Sequence, residues 1–277
     1  MAKEIIDGAG SGKKLAKLKS RNPHIEFDVL QLYFRRPYVI DLPNTEGSIT
    51  MRQPSIGELV DIGEKRFYAT LNSFVCNTTS YRVQLWDQGM DWNELSDFQL
   101  FIMLLGLAEK EVYQLFLPDI DFANFGVYQK QLSDEEEPQT VLYDQANNIE
   151  INEQVYFHIS QYLQTIFNIH PEEKLTDSSV MKRWFIDKDK REAKNREKKK
   201  VDTEESNLLP VISGCVNHPG FKYKTSELLD VGVFEFYDSV KRLQVYESTS
   251  ALNHGAYSGF CDMKGVPQEN FNFMRPI

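Results

Sequence analysis

The most suggestive chemical pattern lies near the N-terminal end, where the glycine-rich run Gly8–Gly12 precedes Lys13 and Lys14. A strand, a glycine-rich turn and a lysine are the ingredients of a phosphate-binding loop, because backbone N–H groups in such a loop surround phosphate oxygens. The spacing does not fit, since Asp7 occupies the position of the first glycine and Lys14 the position of the hydroxyl that binds magnesium. No nucleotide cofactor is therefore predicted.

The histidines and cysteines do not have the spacing of a metal site. The five histidines are scattered, and the sequence contains no HExxH or CxxC motif. Cys215 lies close to His218, which could pair a nucleophile with a base, but Pro219 follows and no third residue orients the pair. Asp119 and Asp121 lack the glycine and the terminal glutamate of a calcium loop. We therefore predict a protein that is not an enzyme and has neither metal nor cofactor.

The composition indicates a globular protein with an acidic surface. The chain has 277 residues, 41% of them hydrophobic and 12% aromatic, which is enough to bury a stable core. The formal charge of −10 excludes a protein whose whole surface binds nucleic acid, because phosphate contacts need clustered lysine and arginine. Three separated cysteines favour reduced thiols, and no signal peptide or bilayer-spanning apolar run is present. We expect a cytoplasmic protein without membrane contact.

Changes in composition divide the chain into four predicted segments. They are residues 1–22, 23–171, 172–206 and 207–277. The first is a flexible basic arm, because its glycines and lysines have no apolar partners. The second is an α+β body. The third is a charged helix or linker, since the mixed-charge run 187–200 has no apolar face. The fourth is a helical C-terminal unit whose tail wraps over the body through Phe271, Phe273 and Met274.

The fold class that we predict is α+β and mainly α-helical. Apolar alternation at Ile25, Phe27 and Val29, continued by β-rich residues, predicts a strand. The turn residues 44–47 and the returning segment 48–52 complete a small N-terminal β-hairpin or meander.

A second hairpin and a helix are predicted in the later part of the body. Ala146, Asn147 and Asn148 form a turn signal between two short β-rich segments, 141–143 and 149–151. Asn152 then precedes an apolar stripe of helical spacing, which predicts an amphipathic helix that begins at this residue.

The stretch from Arg52 to Leu107 is the densest in structural signals. Ser55 and Glu58 have the spacing of a capping box, in which each side chain binds the backbone of the other residue at a helix start. Ser96, followed by Asp97 and Gln99, is a second predicted helix start. An apolar stripe from Ile56 to Phe74 continues the first helix, and we interpret Gly57 and Gly63 within it as sites of close helix approach. Gly106 is the predicted stop of the second helix.

Four aromatic residues of this stretch are the candidate partner-binding residues. They are Phe67, Tyr68, Trp86 and Trp92. Aromatic side chains are enriched at protein interfaces, and the two tryptophans are expected to pack a corner between the helices. The other apolar residues of the stretch are assigned to the core.

Three segments together resemble proteins of phage tail modules. They are Met51–Glu64, Leu85–Trp92 and Phe236–Gln244. The sequence Pro-Ser-Ile-Gly-Glu at a helix start after a short strand resembles proteins of long-tailed bacteriophages of Gram-positive hosts, including tail-assembly chaperones and baseplate-assembly proteins. The resemblance implies a non-enzymatic role: binding of tape-measure or baseplate subunits, which keeps them competent for assembly in the host cytoplasm.

Two alternatives to a chaperone remain at the level of the sequence. The first is a permanent structural component of the tail or baseplate, located in the virion. The second is a nucleic-acid-associated protein that uses the basic arm and the charged run 188–200. Interleaved acidic residues and the lack of stacking aromatics in that run disfavour the second alternative.

Overall fold

The computed structural model describes residues 23–131, 138–198, 206–259 and 264–277. The predicted basic arm of residues 1–22 lies outside these ranges. Helices predominate in the described residues, and the strands form two small antiparallel sheets. The α+β, mainly helical fold class is therefore confirmed.

The N-terminal part contains a short helix and a hairpin. Helix α1 spans Val29–Tyr33 and begins because the Asp28 side chain accepts hydrogen bonds from the next backbone N–H groups. The strand predicted across this region is wrong for that reason. Strands β1 (Tyr38–Asp41) and β2 (Ser48–Met51) pair in antiparallel register, so the N-terminal hairpin is confirmed.

Two consecutive helices replace the single stripe that begins at Ile56. Helix α2 covers Ile56–Ile62 and starts with the predicted capping box of Ser55 and Glu58. Helix α3 covers Glu64–Val75. Gly63, with φ of 93°, separates them, because that left-handed region favours glycine. Gly63 therefore breaks the helix and is not a site of close approach.

The next helices form the corner that holds the two tryptophans. Helix α4 covers Arg82–Asp87, and α5 covers Asp97–Leu104. The predicted start at Ser96 is confirmed, and Ser96 and Gln99 form a capping box there. A 3₁₀ turn over Leu105–Leu107 continues α5 through Gly106. Helix α6 (Lys110–Tyr113) and a second 3₁₀ turn (Phe122–Asn124) lead to the second sheet.

The second sheet has three antiparallel strands in sequence order. They are β3 (Phe125–Lys130), β4 (Gln139–Asp144) and β5 (Ile149–Ile151). The predicted hairpin corresponds to β4 and β5 and is confirmed. Helix α7 follows over Glu153–Ile166, and the Asn152 side chain caps it by accepting a hydrogen bond from Val155 N.

The remaining described chain is helical. Its helices are α8 (Ser179–Lys198), α9 (Leu208–Val216), α10 (Thr225–Leu228) and α11 (Val233–Ser258), followed by a 3₁₀ turn over Gln268–Phe271. The tail folds back along α11, where Arg242 donates hydrogen bonds to the carbonyl oxygens of Phe273 and Arg275. These hydrogen bonds attach the tail to the preceding helix, and its wrapping over the body stays a prediction.

Two clusters of buried side chains hold these elements together. The larger core joins α3 and α7 to the C-terminal unit, whose Leu208, Leu228 and Phe236 belong to it. The smaller core contains Trp92 and Ile186 and lies under α8. The predicted boundary at residue 206 therefore does not separate two cores. None of the described helices combines the length and the hydropathy needed to cross a bilayer.

Candidate functional site

Two of the four predicted partner-binding residues lie in the interior. Phe67 and Trp92 are both 0% exposed. The Phe67 ring packs against Phe167 with 5.4 Å between centroids, and Trp92 Nε1 donates a hydrogen bond to the carbonyl oxygen of Lys174 over 3.1 Å. A partner at the surface cannot touch either ring. The prediction that Phe67 and Trp92 bind a partner is corrected: both are core residues.

Tyr68 and Trp86 are half-buried and make structural contacts. The hydroxyls of Tyr68 and Tyr237 lie 2.7 Å apart, which fastens α3 to α11. Burial, with Tyr237 as the next cause, raises the pKa of Tyr68 well above its ordinary value. Trp86 packs on Trp92 with 6.1 Å between ring centroids. Trp86 and Trp92 do form the predicted corner, but Phe67 and Tyr68 belong to the other core, so the four residues form no common surface.

Helix α8 is held on this corner by ion pairs along one of its faces. Asp189 accepts two hydrogen bonds from the buried Arg82, of 2.6 and 2.7 Å. The Arg82 guanidinium also lies over the ring of Phe185. Lys182 pairs with Asp91 of the corner. Partly buried pairs of this kind are screened less than exposed ones, so they fix the position of the helix.

An apolar contact completes the docked face. Ile186 is buried in the smaller core, between the turns that carry Lys182 and Asp189. These three residues follow at intervals of three or four, which places them on one side of a helix. The opposite side of α8 is therefore turned away from the body.

That opposite side carries apolar side chains followed by basic ones. We call it the free face of α8 and define it by Val180, Met181, Trp184, Lys188 and Arg191, which recur at helical intervals. Val180 is 73% exposed and Trp184 is 47% exposed. The Lys188 ammonium lies 5.5 Å from the centre of the Trp184 ring. Large exposed apolar groups that share one face are typical of an interaction site.

Two basic residues beside the free face have no acidic partner among the residues that the structure describes. They are Lys194 and Lys198, which make no ion pair within the described part of the chain. The sequence interpretation missed this surface, because it treated the charged run without the turns before it. The spacing of Val180, Met181 and Trp184 is the signal that could have revealed it.

The residues considered for catalysis are engaged elsewhere. His218 Nε2 lies 3.2 Å from Glu247 Oε1, and its Nδ1 accepts a hydrogen bond from Gly220 N. Both ring nitrogens therefore have partners other than the Cys215 thiol, whose pKa is raised by burial. Within residues 23–131, 138–198, 206–259 and 264–277, no three His, Cys, Asp or Glu side chains are grouped as metal ligands.

A polar cleft of about 370 Å³ lies between the segment around His24 and helix α7. The amide of Gln161 binds the backbone on both sides, donating to the carbonyl oxygen of Pro23 over 2.7 Å and accepting from Ile25 N over 3.0 Å. Gln164 donates to the carbonyl oxygen of Val75 over 2.9 Å. These amides serve the fold, so they do not point free hydrogen-bonding groups at a ligand.

Comparisons of this chain with protein-family models, with curated proteins and with solved structures found no match. The sequence resemblance and the surface of the molecule are therefore the indications of its function. Of the features described above, the free face of α8 has the character of a binding site for a macromolecule.

Proposed function

We propose that this chain is a non-enzymatic phage tail-assembly protein that binds another tail protein through the free face of α8. The observation that carries the proposal is a helix fixed to the body by one side, with large apolar side chains exposed on the other. Val180 and Trp184 are the most informative of these side chains, because both are large, exposed and close together on the helix.

The fixed position of α8 favours binding. A helix that is ordered before a partner arrives does not pay its conformational entropy during association. The bidentate contact between Arg82 and Asp189 supplies this order on the docked side. Amphipathic helices that present an apolar face to a partner are a recurring mode of protein recognition.

The sequence resemblance suggests the partners and the place of action. Tape-measure or baseplate subunits are the partners that it implies, and the host cytoplasm during tail assembly is the location. A permanent tail or baseplate component would use the same face, buried against a neighbour in the virion. The chaperone and the structural role therefore differ in whether the chain stays in the finished particle.

Deletion of the gene from the phage that encodes it tests the proposal. We expect lysates without intact tails when examined by negative-stain electron microscopy, and a plasmid copy of the gene should restore them. A plasmid copy that carries Tyr257→Ala is the control and should also restore tails, because Tyr257 is 90% exposed and belongs to α11 and not to α8. Normal tails in the deletion phage would overturn the proposal.

Mass spectrometry of purified wild-type particles separates the two roles. A chaperone leaves the tail after assembly, so its peptides should be absent or far below the level of the tail subunits. Peptides at the level of a tail subunit would overturn the chaperone role and assign the structural one.

A further inference from the structure

We propose that the free face of α8 binds an acidic amphipathic helix of the partner protein. This inference rests on the proposed function and adds the chemistry of the partner. It joins three observations: the apolar residues at one end of the face, the basic residues at the other, and the docking that leaves both uncovered.

The apolar end fixes the shape of the partner. Val180, Met181 and Trp184 project from adjacent turns, so they form a ridge along the helix. Ridges of this kind pack into the grooves between side chains of another helix. With 20 residues, α8 is about 30 Å long, which is enough for several turns of a partner helix to lie against it.

The basic end fixes the charge of the partner. Lys188 pairs weakly along its own helix with Glu192, over 3.7 Å. Lys194 and Lys198 are exposed, and they lack ion pairs within the described residues. A partner with glutamate or aspartate beside its apolar stripe would supply the missing opposite charges. Electrostatic complementarity of this kind contributes specificity and a fast association rate.

The same charges argue against the other occupants. A second copy of the chain that used this face would bring like charges together, since Arg191 and its basic neighbours recur in each copy. Nucleic acid would pair with the basic residues alone, and Val180 and Met181 would remain against water or phosphate. An acidic helix satisfies both the apolar and the basic groups.

Two synthetic peptides of about 18 residues, which is about five helical turns, provide the probe. Both carry the same leucine stripe; one has glutamate on its flanks and the other has lysine. Binding to the full-length chain is measured by fluorescence anisotropy of the labelled peptides. We expect the glutamate peptide to bind at least about tenfold more tightly than the lysine peptide, with the difference shrinking in about 0.5 M NaCl.

Substitutions on the free face locate the contact. Trp184→Ala should weaken binding of the glutamate peptide by at least about tenfold, because buried tryptophans contribute much of the binding energy at interfaces. Arg191→Glu should weaken binding of the glutamate peptide and strengthen binding of the lysine peptide. The matched controls are Tyr257→Ala and Arg36→Glu, which change an exposed aromatic and an exposed arginine elsewhere and should leave binding unchanged. Circular dichroism checks that each variant is folded.

Four results overturn the inference, of which the last is a phage phenotype. The first is equal binding of the two peptides, or no binding of the glutamate peptide. The second is a dimer in light scattering that Trp184→Ala dissociates, which assigns the face to a second copy. The third is binding of duplex DNA at about 50 mM salt that Trp184→Ala removes. If a phage that carries Trp184→Ala with Arg191→Glu assembles normal tails while the deletion phage does not, this inference fails and the proposed function stands.

Discussion

At the scale of single residues, the start of α2 shows why one glycine is required. The first N–H groups of a helix have no partner within it. Here Ile56 N donates to the carbonyl oxygen of Val231 over 2.9 Å, and Gly57 N donates to that of Leu229 over 3.0 Å. A Cβ added at Gly57 would lie 2.7 Å from the Leu229 oxygen. The close approach predicted at Gly57 is therefore real, although the approaching backbone is a loop.

Gly57→Ala is expected to lower the free energy of unfolding by about 1–3 kcal/mol, because the backbone must shift to relieve the overlap. Helix propensity alone would raise the free energy of unfolding by about 1 kcal/mol. The sign of the measured change therefore shows which of the two effects is larger. Urea denaturation measures the difference. Gly214→Ala is the matched control: it lies in α9, and an added Cβ meets nothing within 4 Å. A stabilised Gly57→Ala protein would contradict the close approach.

The Cys76 thiol gives a residue-scale prediction of pH dependence. Burial, and then the charge of Asp97, raise the pKa of Cys76 to about 12. An unfolded thiol has a pKa of about 8.5, so the unfolded state releases its proton first as the pH rises. Stability is therefore fully present below about pH 8.5 and is lost as the pH rises toward 12.

We expect the melting temperature to fall above about pH 9, with a shallower decline in Cys76→Ala than in the parent chain. At about pH 8, iodoacetamide should modify Cys76 at least about tenfold more slowly in the folded protein than in urea, as followed by peptide mass spectrometry. Equal rates in the two states would show that the thiol is accessible.

At the scale of elements, helix α8 shows where sequence interpretation stops. The run 187–200 was predicted as a charged helix or a linker, and the described part of it is helical to Lys198. Its attachment could not be predicted, because Arg82 and Asp189 are 107 residues apart in the chain. A mixed-charge pattern does not reveal which of its charges have partners in the body. The sequence did not reveal the candidate site for the same reason. Which side of α8 is free becomes known only when the residues that contact the body are known.

A double-mutant cycle on Arg82 and Asp189 tests this attachment. Their side chains are 10% and 24% exposed, so the pair is only partly screened by water. Either single change to alanine should cost about 1–3 kcal/mol in urea denaturation, and the double mutant should cost less than the sum by about 1 kcal/mol. The exposed pair Lys188 and Glu192 is the control, with an expected coupling below about 0.5 kcal/mol. Additive costs at Arg82 and Asp189 would mean that the pair does not hold α8.

At the scale of the whole molecule, helix starts could be predicted from the sequence, but the packing of segments that are distant in the chain could not. The capping residues Ser55, Ser96 and Asn152 mark helix starts because each acts within a single turn. The wrong choice of Phe67 as a surface residue has a physical cause. An aromatic stripe shows that a helix has an apolar side, but only packing decides which rings are enclosed. Likewise, a change of composition at residue 206 gave no sign that Phe236 enters the core of the body.

This shared core leads to the last expectation, that the body and residues 207–245 unfold together. Val233 N donates to the carbonyl oxygen of Pro54 over 3.2 Å, and Tyr68 contacts Tyr237 across the same junction. Loss of α11 would open the larger core to water, and a single hydrophobic core favours an all-or-none transition.

Tryptophan fluorescence reports the body and α8, whereas hydrogen exchange of peptides from 208–245 reports the C-terminal unit. Both should give the same urea midpoint. The tail 264–277 is the internal control, because its hydrogen bonds to Arg242 and Thr249 tie it to α11, and it should exchange earlier by local opening. Exchange of 208–245 at a urea concentration that leaves the fluorescence unchanged would instead establish two independent folding units.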